Sequence, residues 1–286
     1  MNVRNTVEEK QEEDSNSVNV NISSVMSNSK LQKDLLEAGV HFGHLTSKWD
    51  PRMAPYIFME KNGIHIIDLN KTEANLDNAK AAIKNIVKAG RKVLFVATKK
   101  QAKIVIEEEA KRLNMPFVTE RWLGGMMTNF ATVRKSLKKM SSMEKMMKSE
   151  AYANLAKRER LMLTRDKDKM EKVLGGISDL TRLPAAIFVV DVKKEHIAIA
   201  EAKNLNIPVF ALVDTNSNPE LVDFPIPGND DAFKAISVVT KEFCTAIEEG
   251  LSERKKEKEL NKEASTPKAK KEATVSEEAP KTESAE

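Results

Sequence analysis

The chain has a single cysteine, Cys244, so it offers no disulfide and no cysteine-rich zinc site, and a reducing compartment fits it. No apolar run approaches the ~20 residues that span a bilayer, which excludes a transmembrane helix. The N-terminus, MNVRNTVEEKQEEDSNSVNVN, lacks the apolar middle of a secretory signal. It is also acidic and rich in Asn and Ser, unlike an Arg-rich transit peptide. Neither G-x-G-x-x-G nor G-x-x-x-x-G-K-[ST] occurs, which argues against a nucleotide-using enzyme. No Ser-His-Asp or Cys-His ordering can be assembled, and Cys244 falls on an apolar-periodic helix as a core residue. His65 and His196 have no visible partners and read as structural or surface residues. No repeat of solenoid or propeller length is present.

What the chain does have is charge concentrated in one place. Between residues 131 and 172 there are 13 Lys and Arg against 6 Asp and Glu. The rest of the body, residues 30–130 and 173–250, is balanced at 23 against 23. A neutral globule with one strongly basic element is suited to meet a polyanion at a defined place. The flanks differ. Residues 251–286 mix Lys, Glu, Ala, Ser and Pro with few apolar side chains and read as disordered. Residues 1–29 read the same way, although Val18, Val20, Ile22 and Val25 could form a transient strand.

Periodicity gives the body. A short helix over 30–38 precedes HFGHLTSKWDPRMAPYIF, whose aromatic, basic and proline content suits an ordered loop. IHIIDLN is extended, and 71–89 is helical with Gly90 as its stop. The runs at 93–97, 116–118, 185–191 and 209–214 read as buried strands, with helices over 101–113 and 195–204 and within 233–250. Alternating buried strands and amphipathic helices specify an α/β, doubly wound parallel sheet. The basic stretch interrupts this rhythm. Phe130, Val133, Leu137, Met140 and Met147 make one narrow apolar stripe, and Leu155, Met162, Leu163, Met170 and Val173 a second. Two such stripes predict an inserted antiparallel helical hairpin over 128–173, within an α/β domain of 30–127 and 174–250.

Several residues are candidates for chemistry. Arg134 with Lys138, and Lys135 with Lys139, lie one helical turn apart and form a basic ridge, joined by Arg158, Arg160 and Arg165 on the second helix. Phosphate contact is the natural offset for their mutual repulsion; a solvated charged face is the alternative. In RWLGGMMTN, Arg121 is suited to phosphate and Trp122 to stacking, or the motif is a tight turn around a buried Trp. Lys99 and Lys100 follow a strand at the carboxyl edge, where ligands meet open α/β sheets. Asp191 and Asp214 also end strands there, and His41 and His44 lie within reach. These four are candidates for a single divalent metal ion, against helix capping by Asp214-Thr215 and plain loop hydrogen bonds. Two rival functions follow from the same residues: an enzyme using Asp191 and Asp214, or a module whose Met-rich hairpin docks another protein's helix.

The blocks AGVHFGHLTSKWDPRMAPYIF (38–58), IHIIDLNKT (64–72), RWLGGMMTN (121–129), LGGI (174–177), LPAAIFVVD (183–191), HIAIAEAKNLNIPVFALVDTNSNP (196–219) and IPGNDDA (226–232) resemble, in order, the bacterial small-subunit ribosomal protein two family. The resemblance covers about residues 31–250. It implies a flavodoxin-like sheet with an inserted coiled-coil hairpin, a cytoplasmic, ribosome-bound setting and no catalytic residue or required cofactor. It also implies contact with small-subunit ribosomal RNA, chiefly through the hairpin, and with neighbouring small-subunit proteins. Recruitment of protein one for translation initiation is implied as well, with neither membrane nor DNA as a partner.

Overall fold

A computed structural model describes residues 30–265. The disorder expected of residues 1–29 and 266–286 lies outside the described residues.

The main sheet is built from β4 (Val93–Val96), β5 (Phe117–Val118), β6 (Ala186–Val190), β7 (Val209–Val213) and β8 (Phe224–Pro227). All are parallel, in the order β5-β4-β6-β7-β8. Numbered by their own succession this is 2-1-3-4-5, the doubly wound order whose switch point falls between β4 and β6. Each inner strand is apolar at every position because it is buried on both faces. On β4, Val93 and Phe95 face one core while Leu94 and Val96 face the other. The first core holds the contacts of α1 (Lys30–Glu37), α2 (Leu69–Lys88), α3 (Lys100–Arg112) and α8 (Phe233–Ser265). Phe95, Phe188, Phe210 and Phe243 meet at its centre, with Phe188 and Phe243 stacked at 4.5 Å. The second core is covered by α7 (His196–Asn204), Met53 and the base of the basic stretch.

That stretch is helical, as α4 (Phe130–Met147), the short α5 (Glu150–Ala153) and α6 (Lys157–Leu174). Phe130 and Val133 at its start and Met170 and Val173 at its end pack against the same core, so the chain leaves and re-enters at one place. Eighteen residues per helix correspond to ~27 Å of length at 1.5 Å per residue.

Three expectations are corrected. The 41–58 segment is not a loop throughout: β1 (Phe42–Leu45) and β2 (Ile57–Lys61) pair antiparallel with β3 (Ile64–Ile67), with 3-10 turns between β1 and β2. The tail does not begin at residue 251, because α8 continues to Ser265. Lys84 pairs with Glu249 and Glu253, and Lys88 with Glu253 and Glu257, so cross-helix pairs to α2 hold a segment too polar to be held by burial. Met162 is 56% exposed rather than part of the apolar seam. Its neighbour Thr164 turns inward instead and meets the Tyr152 hydroxyl at 3.2 Å. Among the described residues no helix is long and apolar enough to cross a membrane.

Candidate nucleic-acid interface

Arg134, Lys135, Lys138 and Lys139 are exposed on α4, and Arg158 and Arg165 on α6. The stretch forms a few ion pairs among the described residues: Lys148–Glu144, Lys167–Glu171 and Lys172–Glu120. None of these neutralises the six exposed cations just named. On α2, by contrast, Lys80, Lys84 and Lys88 are each matched by a glutamate of α8. Unmatched like charges one turn apart repel, so this ridge costs some helix stability in the free protein. Leu161 and Met162 are exposed between Arg158 and Arg165, giving that face apolar as well as cationic surface. Arg160 differs from the rest. It is half-buried, and its Nε has no hydrogen-bond partner among the described residues.

The stretch is anchored at its base by a side chain that no motif singled out. Glu201 of α7 is buried, and its carboxylate is the shared acceptor of the RWLGGMMTN turn. Oε1 accepts from the Trp122 indole N–H at 3.0 Å and the Gly125 amide at 2.8 Å. Oε2 accepts from the Met127 and Thr128 amides at 2.9 and 3.1 Å, and from the Thr128 hydroxyl at 3.2 Å. Burial pushes the Glu201 carboxyl up, and the donors from Thr128, Trp122, Met127 and Gly125 outweigh it, holding the group below the usual carboxylate range. Gly125 adopts φ 84°, in the left-handed region that favours glycine and brings the amides round to one point. The readable signal was position: Glu201 shares the buried face of α7 with Ala198 and Ala202. A charge within an apolar stripe demands partners.

Trp122 is corrected accordingly. Only 7% exposed and bonded to Glu201, it is core and offers no face to a base. Arg121 beside it is exposed, as is Lys100.

Lys99 is corrected too. Its side chain is 12% exposed and turned into the carboxyl edge of the sheet, with Nζ 2.7 Å from Asp230, 2.6 Å from Asp231 and 3.7 Å from Asp191. Three carboxylates consume its charge, so none remains for a polyanion. Asp191 reaches the group from a left-handed backbone, φ 72°. Asp214 stands beside it, accepting from the Thr215 amide and from His44 Nδ1 at 2.9 Å; it caps a turn rather than a helix. His44 Nε2 is 3.3 Å from Asp231. Gly43 permits this approach, since a Cβ there would lie 2.6 Å from Thr215.

Of the four metal candidates, His44 and Asp214 are therefore in contact, Asp191 reaches the cluster through Lys99, and His41 stands outside it. His41 is buried against Phe42 with both ring nitrogens unpartnered among the described residues, and burial lowers its pKa to about 4. The grouping whose candidate ligand atoms all lie within 4.8 Å of one another is His44, Asp230 and Asp231. Asp230 and Asp231 were missed because they follow β8, a strand obscured by its prolines.

The cluster makes stability depend on pH. Burial, then the Asp214 and Asp191 charges, raise Asp230 from 3.8 to about 7. Between those values the folded state keeps a proton that the unfolded chain releases, so stability falls as pH rises from about 4 to about 7. His44, raised chiefly by its bond to Asp214, adds a contribution that is full below 6.5 and lost above it. At about 1.36 kcal/mol per pH unit the Asp230 effect is at most ~4 kcal/mol. Melting temperature with EDTA present should fall between pH 5 and 8, and Asp230→Asn should flatten that fall. An unchanged slope in the variant contradicts the assignment.

The chain matches the family model described as Ribosomal protein S2 over residues 35–250. Small ribosomal subunit protein uS2 of Cytophaga hutchinsonii is 76% identical over 227 residues, covering 79% of this chain and 89% of that protein. The Flavobacterium johnsoniae protein of the same name is 58% identical over 248 residues, covering 87% and 98%. That of Parabacteroides distasonis is 62% identical over 224 residues, covering 78% and 81%. Strand order, sequence blocks and these matches agree: the chain belongs to the ribosomal protein S2 family and is a structural constituent of the small ribosomal subunit, not an enzyme.

Proposed function

We propose that this chain binds small-subunit ribosomal RNA by its phosphate backbone, using residues 128–173 as an antiparallel coiled-coil arm on the body formed by 30–127 and 174–250. The observation that carries the reading is the set of exposed cations on α4 and α6 with no acidic partner among the described residues. Arg134, Lys135, Lys138, Lys139, Arg158 and Arg165 supply the charge, with Arg121 and Lys100 nearer the body. Phosphate contacts position a protein on duplex RNA, whose deep major groove is closed to side chains. Recruitment of small-subunit protein one during initiation is the further role that the family resemblance supports. Sedimentation of cell lysate through sucrose tests the core reading. The protein should travel with small subunits and shift to the top of the gradient after ribonuclease treatment; co-sedimentation that survives complete RNA digestion contradicts it.

A second reading concerns the switch-point cluster. A single divalent ion held by His44, Asp230 and Asp231 would satisfy the orphaned Asp230 Oδ2 with a nitrogen and oxygen ligand set. Lys99, which now supplies the positive charge there, would have to withdraw. Such an ion would fix the turn after β8 against β1 and have no catalytic part. Zinc or magnesium in excess should raise the melting temperature and EDTA lower it. No response to either ion excludes this reading.

A further inference from the structure

Beside the base of the arm, α4 and the turn at 178–181 enclose a cleft of about 190 Å³. Its lining is Arg134, Leu137, Lys138, Ser141, Ser178, Leu180 and Thr181. Leu137 and Leu180 are buried and form the floor. Arg134, Lys138 and Ser141 lie at i, i+4 and i+7 on α4, one face of the helix, while Ser178 and Thr181 come from the opposite wall. Neither cation has an acidic partner among the described residues. Neither Ser141 nor Thr181 makes a side-chain hydrogen bond there, and Ser178 reaches only Asp179, at a long 3.4 Å.

We propose that this cleft is the seat of one phosphodiester of the RNA backbone. The inference rests on the reading of the arm as an RNA-binding element and adds to it a defined subsite with hydroxyl donors. The chemistry is complementary. A phosphodiester has a single negative charge and two unbridged oxygens, and the cleft presents two cations on one wall and hydroxyl donors on both. At ~30 Å³ per water the space equals about six waters, room for a phosphate group. The apolar floor displaces water beneath the anion, which strengthens the charged contacts above it. The cleft also stands where the arm joins the body, so an anion bound there ties α4 to the turn that follows α6. Serine and threonine hydroxyls are ordinary phosphate donors in nucleic-acid interfaces.

The test uses purified full-length protein and small subunits stripped of it, with binding measured across a series of KCl concentrations. Ser178→Ala with Thr181→Val removes two donors and no charge, and should weaken binding about tenfold, as loss of hydrogen bonds to a charged group does. Arg134→Gln with Lys138→Gln should reduce the log–log salt slope by roughly one phosphate's worth, 0.7 to 0.9. All four side chains are exposed, so melting temperature should hold in both variants. Lys135→Glu with Lys139→Glu, outside the cleft, serves as the reference. If the reference weakens binding while both cleft variants behave as wild type, the phosphate seat is refuted and the arm reading stands. If the reference too is without effect, the reading beneath it has failed.

Discussion

Reversing Arg134, Lys135, Lys138 and Lys139 to glutamate is expected to strip the protein from small subunits while leaving it folded. The change moves the stretch from a cationic to an anionic ridge. Backbone binding by several contacts has a steep salt dependence, close to one power of salt per phosphate. Losing four contacts and adding repulsion should weaken association by on the order of a hundredfold or more near physiological salt. The fold has little stake in these side chains. They are exposed and unpaired, and four glutamates repel one another about as the four cations did. Quantitative mass spectrometry of gradient-purified small subunits should show the variant depleted, with its circular dichroism melt near wild type. Full incorporation at normal levels contradicts the assignment of roles.

Glu201→Ala should produce the largest loss of stability of any change at the base of the arm. It leaves the Trp122 indole, the Gly125, Met127 and Thr128 amides and the Thr128 hydroxyl without their acceptor. An unsatisfied buried donor costs ~1–3 kcal/mol, and water will reach those nearer the surface, so a total of about 3–6 kcal/mol is expected. At roughly 2–4 °C per kcal/mol the melting temperature should fall by about 10 °C or more. Glu201→Gln keeps the shape but turns an amide N–H₂ toward donors, and should lose about half as much. Because the wild-type carboxyl is held below its unfolded value of 4.5, its contribution is present above that pH and lost as pH falls through the folded value. The glutamine variant should therefore lack part of the acid-induced destabilisation. The RNA phenotype is distinct from that of charge reversal. Affinity should drop because the arm is loosely held, while the salt slope stays at its wild-type value. A slope that falls with affinity contradicts a positioning role.

The parts of this molecule that could be read in the sequence are those where one physical demand dominates. The runs Val93–Val96, Ala186–Val190 and Val209–Val213 are apolar throughout because both faces are buried, and they announce themselves. β8 hides behind Pro225 and Pro227, which an edge strand tolerates where a central one does not. β1 and β2 are short, and their partner β3 supplies the reason they are strands. The continuation of α8 is invisible in composition because it depends on glutamates finding Lys84 and Lys88 across a helix interface.

The same holds for the sites. The cationic ridge is a property of helical spacing and could be placed in advance. Lys99 could not, since its neutralisation by Asp191, Asp230 and Asp231 joins the ends of three strands. Glu201 reads locally as one more helical glutamate, and only the turn folded over it reveals an anion surrounded by donors. Trp122 is an amphipathic residue suited to either of two roles, and Glu201 decides which.

The most direct measurement exploits the single native thiol. Cys244 is buried and its pKa is pushed up to about 12, chiefly by burial, so a cysteine introduced on the surface is the one that reacts. Ser142 is exposed and lies on the same face of α4 as Lys135 and Lys139. With an iron chelate tethered at Ser142→Cys and the labelled protein rebuilt into small subunits, hydroxyl radicals should cut the ribosomal RNA at a few neighbouring positions. Scission no stronger than from unlabelled protein, in particles that contain the variant in full amount, would place the arm away from RNA and contradict the account.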